Sequence, residues 1–309
     1  MASALRSQSG IALLLFLFLI LGVGATLLLS ATNAPKQRLN QDAKTQVALR
    51  QAKEAIIAWS VTHRTTPGRL PCPEDTTAIG GANEGSALIS CSNATLQIGR
   101  IPWRTLGLDS PVDASGEILW YALSPGFRGT PPLGSVGVST GQLQLDGITN
   151  SAAAIIIAPG APLVGQNRTI PSAGSPPSRV NYLDMDNASG TAFTSTGPNT
   201  TFNDQVISIT SQEIFQAMTF RVLAEIRGAF GLQNGLRRYY NDNGSFPPTG
   251  TSLSSLLFDA QTLGWLAPAT NPNLWFANVS YTNLSPTSSR LSLGTKTMNV
   301  TPCTATACP

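Results

Sequence analysis

Cysteine is the residue type with the clearest chemistry in this chain, because it can form disulfides, bind metal ions or act as a nucleophile. The four cysteines fall into two local pairs, Cys72 with Cys91 and Cys303 with Cys308. An even number of cysteines beyond an apolar N-terminal segment favours disulfides formed in an oxidising compartment. Zinc binding is the alternative, but the chain has no C-x-x-C motif and His63 is its single histidine. We therefore predict two local disulfides, no metal and no other cofactor.

Side chains that could catalyse a reaction are present, but their spacing completes no catalytic motif. Residues 137–141 match G-x-S-x-G, yet the following residues 142–145 are typical of a strand and not of the helix that a nucleophile elbow requires. Glu74 and Asp75 could form the carboxylate pair of a glycosidase, although the sequence does not show that they converge. Residues 184–187 (DMDN) lack the glycine and the distant glutamate of a calcium loop. We predict no enzyme activity.

The longest uninterrupted pattern is apolar. Residues 11–30 (IALLLFLFLILGVGATLLLS) carry no charge and directly follow Ser9-Gly10. As a helix they would extend about 30 Å, the thickness of a bilayer core. Three interpretations are open: a cleaved signal peptide, although the run is long and residues 31–34 form a mediocre cleavage site; a signal anchor; or a prepilin, whose short leader is cut after Gly10. The Ser-Gly pair before Ile11 favours the prepilin.

Composition limits the function classes. The chain has 309 residues, of which only 11% are charged, with 28 Gly and 22 Pro. This composition is typical of a loop-rich extracytoplasmic protein and not of a cytosolic enzyme. The net charge of +3 is not concentrated in a basic cluster, so we predict no nucleic-acid partner.

Two helices are indicated by local patterns. An apolar stripe runs through residues 48–59 and predicts an amphipathic helix that ends near His63. Thr210 with Glu213 matches a capping box, so a second helix should begin there and continue to about Tyr240.

Short strands lie between these helices. Residues 152–158 (AAAIIIA) predict a buried central strand, because the whole run is apolar. Residues from about 161 to 203 are rich in Gly, Pro, Ser, Thr and Asn and predict a long surface loop or linker. Further strands are predicted at residues 118–123, 142–145 and 206–209.

One arrangement occurs twice, a helix followed by a proline turn and then by an aromatic strand-like run. The first copy has Leu70-Pro71 and residues 119–125, and the second has Phe246-Pro247 and residues 274–281. Because the spacings differ, coincidence among proline- and tryptophan-containing loops is the alternative.

Residues 239–247 (YYNDNGSFP) resemble the turn that follows the spine helix in type II secretion pseudopilins and type IV pilins. Residues 70–73 (LPCP) resemble a group of large bacterial pilin-like proteins, and Gly10, Ile11 and the apolar run resemble the class III leader of the same superfamily. The resemblance implies a structural protein that prepilin peptidase cleaves between Gly10 and Ile11, with Ile11 a candidate for N-methylation. It implies other pilin or pseudopilin subunits as partners, bound through the spine helix. It also implies single-pass insertion in the bacterial inner membrane with a periplasmic C-terminal domain, or an extracellular position in a pilus.

Leu15 departs from the pattern of this superfamily. Most pilins carry Glu at the fifth residue after the cleavage site, where it neutralises the N-terminal amine of a neighbouring subunit inside an apolar core. A subunit at the tip has no neighbour on one side and can dispense with that Glu. The resemblance therefore implies a minor pilin or pseudopilin at or near the tip of a type IV pilus or type II secretion fibre. The alternative is a signal-anchored periplasmic enzyme or binding protein.

The predicted fold class is α+β and pilin-like, with a long N-terminal membrane-spanning spine helix packed on a small antiparallel sheet and a second pilin-like helix-plus-sheet module after it. The predicted organisation is a leader (1–10), the transmembrane half of the spine helix (11–30), its amphipathic half (31–66), a disulfide-pinned α+β domain (67–160), a Gly/Pro/Ser-rich loop or linker (161–204) and the second module (205–309).

Overall fold

Helices and strands are mixed in this computed structural model, which describes residues 5–91, 96–128, 143–190, 192–195, 197, 199, 201–228, 234–267 and 275–303, without the side chains of 5–13 and 21–38. The α+β class is therefore confirmed, and the chain divides into Met1–Val47 and a folded body, residues 48–309. The helices are α1 (Leu5–Thr62), α2 (Met185–Ser189), α3 (Ser211–Arg227), α4 (Gly235–Asn243), α5 (Ala260–Leu266) and α6 (Trp275–Asn278). The strands are β1 (Gln97–Arg100), β2 (Trp120–Leu123), β3 (Leu143–Leu145), β4 (Ile148–Ala152), β5 (Ala154–Ala158), β6 (Ala192–Phe193), β7 (Gln205–Ile209), β8 (Ser280–Ser285), β9 (Ser288–Leu293) and β10 (Lys296–Val300).

Helix α1 ends at Thr62, next to the predicted end at His63. Within the described part of the chain, no helix has both the length and the apolar content needed to cross a membrane. The predicted fold with a membrane-spanning spine helix is therefore wrong.

The folded body is built on an antiparallel sheet in the order β1-β2-β5-β7. All five residues of β5 are buried, which confirms the predicted central strand. Successive side chains of a strand point to opposite faces, so β2 and β5 supply two separate apolar layers. One layer packs against helices α1 and α3, with Tyr121 and Ile156 beside Ile56 and Met218.

The opposite face of this sheet is covered by the stretch between β5 and β7, here called the covering segment (residues 161–204). The sequence predicted a loop or linker there. In its described parts, Tyr182, Leu183 and Phe193 are buried against Trp120 and other residues of the central sheet. Strand β6 also pairs in parallel with β3, in a second sheet of order β4-β3-β6. The buried side chains come from turns and from elements of only a few residues, so no extended periodicity reveals them.

Helix α3 begins at the predicted capping box, where Thr210 and Glu213 bond reciprocally. It ends at Arg227 and does not continue to Tyr240. Gly228 has a φ of 94°, and a Cβ built on it would lie 2.2 Å from the carbonyl oxygen of Asn234. Only glycine fits this position, so helix α3 ends there. The next helix, α4, begins at Gly235.

A third sheet, of order β10-β9-β8, packs its apolar residues Leu291 and Leu293 into the same core as α3. In this second half of the body, the Tyr281 hydroxyl donates to the carbonyl of Pro247 at 2.7 Å. In the first half, the Tyr121 hydroxyl donates to the carbonyl of Pro71 at 3.2 Å. Each tyrosine thus joins a sheet to the proline turn after a helix, an equivalence that supports the internal repeat.

The later part of α1 is fixed to the body by two cations. Lys53 donates to the carbonyl of Ser208 on edge strand β7 at 2.8 Å and forms a 2.6 Å ion pair with Glu213. Arg221 of α3 donates to the carbonyls of Val61 and His63, where α1 ends. Carbonyls at a helix C-terminus lack intrahelical donors, so this guanidinium satisfies them.

Candidate assembly site

The apolar run in α1 is exposed on every side of the helix. The seven side chains of Leu14–Ile20 have exposed fractions between 52% and 67%. Seven consecutive residues at about 100° each pass around the helix almost twice, so no polar face remains. A helix that is apolar all round is normally surrounded by other apolar groups. Among the residues that the structure describes, this run is therefore the surface that we select as a candidate for binding a partner.

The predicted cleavage residues Gly10 and Ile11 lie in α1, and their side chains are outside the described residues. Cleavage after Gly10 and methylation of Ile11 therefore stay predictions. Leu15, where the resemblance to pilins leads one to expect Glu, has an exposed fraction of 65% within the apolar run.

The predicted disulfide between Cys72 and Cys91 is confirmed, with the two Cα atoms 6.0 Å apart. This pairing excludes the alternative zinc site for these two residues. Cys303 is also disulfide-bonded, but Cys308 lies outside the described residues, so the Cys303–Cys308 pair stays a prediction.

Removing the Cys72–Cys91 bond should destabilise the folded body. Its loop spans 19 residues, so we expect Cys72→Ala/Cys91→Ala to lower the free energy of unfolding by about 3 kcal/mol. The measurement is urea unfolding at pH 7. The comparisons are the wild-type protein with its disulfide intact and the wild-type protein after treatment with a thiol reductant. Equal stability of these two samples and the double variant would contradict the prediction.

A buried charge network connects the disulfide loop, residues 72–91, to strand β1. Arg100 of β1 donates to both carboxylate oxygens of Glu74, at 2.5 and 2.9 Å, and to Glu84 at 2.6 Å. The backbone N–H of Gly85 donates to Glu74 at 2.7 Å. The hydrogen bond from Arg100 holds the pKa of Glu84 below its usual value. The network thus satisfies both oxygens of a carboxylate that solvent cannot reach.

The suggested carboxylate pair does not face a common space. Glu74 is bound to Arg100, whereas an oxygen of Asp75 accepts from the backbone N–H of Thr77 at 2.9 Å and caps a short turn. Residues 137–141 lie outside the described residues. The third sequence candidate, Asp184 of the DMDN run, accepts hydrogen bonds from Gln166 and Asn203. Among the described residues, no group of three or more His, Cys, Asp or Glu side chains is arranged to hold a metal ion.

The single histidine, His63, directly follows the last residue of α1. The Nδ1 atom of His63 accepts from the backbone N–H of Thr66 at 3.1 Å, and its ring packs edge-on against Trp59. Burial, with the nearby charges of Arg128 and Arg221, lowers the pKa of His63. The His63 ring therefore stabilises the turn that follows the helix.

Sequence reasoning missed Arg100 and Asp204, the two residues at the centre of the buried charge clusters. Arg100 lies 26 residues from Glu74, and Asp204 lies 20 residues from Asp184. No local pattern connects partners at such separations. The only signal in the sequence was the low charged fraction of 11%. It makes each charged residue a candidate for a specific pairing.

Comparison of this chain with protein-family models, with characterised proteins and with solved structures finds no significant match.

Proposed function

We propose that this protein is a structural subunit, a minor pilin or pseudopilin, that joins a fibre through its N-terminal apolar helix at or near the fibre tip. The exposed run Leu14–Ile20 carries the proposal. Burying one such side chain stabilises an assembly by about 1.5–3 kcal/mol, so seven of them supply a large driving force for helix packing. The occupants of that surface are the corresponding apolar helices of neighbouring subunits.

The tip position follows from Leu15. A subunit enclosed on all sides would bring its neighbour's charged N-terminal amine into an apolar bundle, where an unpaired charge is expensive. Leu15 offers no carboxylate to that amine. A position at the end of the fibre avoids the conflict, since the last subunit has no neighbour beyond it.

The folded body supports an exported structural role. Cys72–Cys91 is a disulfide, which persists in oxidising compartments. Lys53 and Arg221 fix the later part of α1 to the body.

Processing at Gly10 tests the proposal. Mass spectrometry of the mature protein from cells that contain prepilin peptidase should give an N-terminus at Ile11. Gly10→Phe should retain the ten-residue leader, because the peptidase requires a small residue before the cut, and should reduce the protein in sheared fibres at least tenfold. Ser9→Ala is the matched control and should be processed normally. A wild-type start near Ala34 or an intact wild-type leader would contradict the proposal and favour the anchored alternative.

A further inference from the structure

Asp184 and Asp204 bind each other's backbone inside the folded body. The N–H of Asp184 donates to an oxygen of Asp204 at 2.9 Å, and the N–H of Asp204 donates to an oxygen of Asp184 at 3.2 Å. Both residues are buried, with exposed fractions of 4% and 1%. This reciprocal pair, with Asn187 and Asn203 bound to it, is here called the clasp.

The clasp joins the two ends of the covering segment. Near the start of the segment, Gln166 donates to Asp184 at 2.8 Å. Near its end, the side chain of Asn203 donates to the carbonyl of Ala161 at 2.7 Å. Between these ends lie Tyr182 and Phe193, which cover the central sheet. The clasp therefore closes the layer that covers one face of the sheet.

The two oxygens of the Asp204 carboxyl group differ in their hydrogen bonds. Its Oδ2 atom accepts from the N–H of Asp184 and from Asn187, both at 2.9 Å. Its Oδ1 atom is buried and has no hydrogen-bond donor among the described residues. A charge on that oxygen is therefore unfavourable, whereas a neutral acid removes the charge.

The surrounding charges do not compensate Asp204. Asp184 faces it with a second carboxyl group. Arg168, whose charge lowers the pKa of Asp204 only weakly, forms a 3.2 Å ion pair with Glu117 and donates to the carbonyl of Gly160. Asp113 accepts from the N–H of Gly160 at 2.8 Å. Burial first, and then the charge of Asp184, raise the pKa of Asp204 to about 7, although hydrogen bonds oppose the shift.

We propose that the clasp is a pH-sensitive lock, in which protonated Asp204 holds the covering segment on the central sheet and ionised Asp204 loosens it.

The sign of the pH effect follows from linkage. An unfolded Asp has a pKa of about 3.9, below the value of about 7 in the folded protein. The folded state therefore holds the proton more strongly, and its stabilising effect is complete below about pH 4. That effect is lost as the pH rises from about 4 to about 7. In this range, one proton changes the unfolding equilibrium constant by up to about tenfold per pH unit.

Asp204→Asn isolates this effect, because an amide oxygen can replace Oδ2 as acceptor while the amide nitrogen takes the place of the unsatisfied oxygen. Unfolding by urea is measured at pH 5, 6, 7 and 8. Relative to the variant, the wild-type unfolding constant should rise up to about 100-fold from pH 5 to 7 and then level off. Asp186→Asn, at an exposed position of α2, should follow the wild type. Parallel profiles of wild type and Asp204→Asn would overturn the proposal.

Limited proteolysis of the wild-type protein gives an independent readout that needs no variant. Arg179 is exposed within the covering segment and is a trypsin site. Cleavage there, normalised to an unfolded peptide with the same sequence, should increase up to about tenfold between pH 6 and pH 8. A pH-independent normalised rate would overturn the lock even if Asp204→Asn failed to fold.

Discussion

Arg100→Met is expected to lower the free energy of unfolding by about 3–5 kcal/mol, because it leaves the carboxylate of Glu74 buried and without its cation. The side chain of Glu74 has an exposed fraction of only 1%. After the substitution, one hydrogen bond from the N–H of Gly85 would remain to it. The measurement is urea unfolding at pH 7, followed by circular dichroism.

Arg104→Met is the matched control for this substitution. Arg104 is nearby, and its guanidinium donates to the carbonyl of Glu84 from an exposed position. Its replacement should cost less than about 1 kcal/mol, as exposed polar contacts do. Glu74→Gln/Arg100→Met should recover part of the lost stability, since the buried charge is then absent. Equal destabilisation by Arg100→Met and Arg104→Met would refute the network's importance.

Leu17→Glu is expected to remove the protein from fibres almost completely. The substitution forfeits the burial of a leucine, about 1.5–3 kcal/mol, and places an unpaired carboxylate in an apolar bundle, at a cost of several kcal/mol more. A combined loss of about 4 kcal/mol corresponds to about a thousandfold weaker association. The measurement is the fraction of the protein in sheared fibres, quantified by immunoblot against total protein.

Leu257→Glu gives the control for the apolar run. Leu257 has an exposed fraction of 59%, close to the 54% of Leu17, but lies in the folded body. The control should reach fibres at the wild-type level. The unfolding profile of the body should be unchanged in both variants. Recovery of Leu17→Glu at the level of Leu257→Glu would exclude this helix as the assembly surface.

The predictions that depend on neighbouring residues agreed with the structure. The capping box at Thr210, the buried strand β5 and the end of α1 all depend on residues within about four positions of one another. The extension of α3 to Tyr240 failed for an equally local reason. The predicted helix continued through Gly228, because a single glycine inside an apolar pattern does not by itself end a helix.

The membrane-spanning spine was the main error in the predicted fold. A window of apolar letters indicates the capacity of a segment to be buried, and it does not specify what surrounds the segment. The proposed assembly surface was nevertheless indicated by the sequence, since Leu14–Ile20 contains no polar residue. The disulfide was visible because Cys72 and Cys91 are close in sequence and the count is even.

The sequence by itself determined the local elements, the local cysteine pair and the apolar character of the N-terminal helix, because these depend on neighbouring residues. The tertiary structure alone decided that Arg100 neutralises Glu74 and that Asp184 and Asp204 close the covering segment. Such partners are brought together by the path of the whole chain. Burial then makes their charges costly, so their pairing depends on packing that no short stretch of sequence encodes.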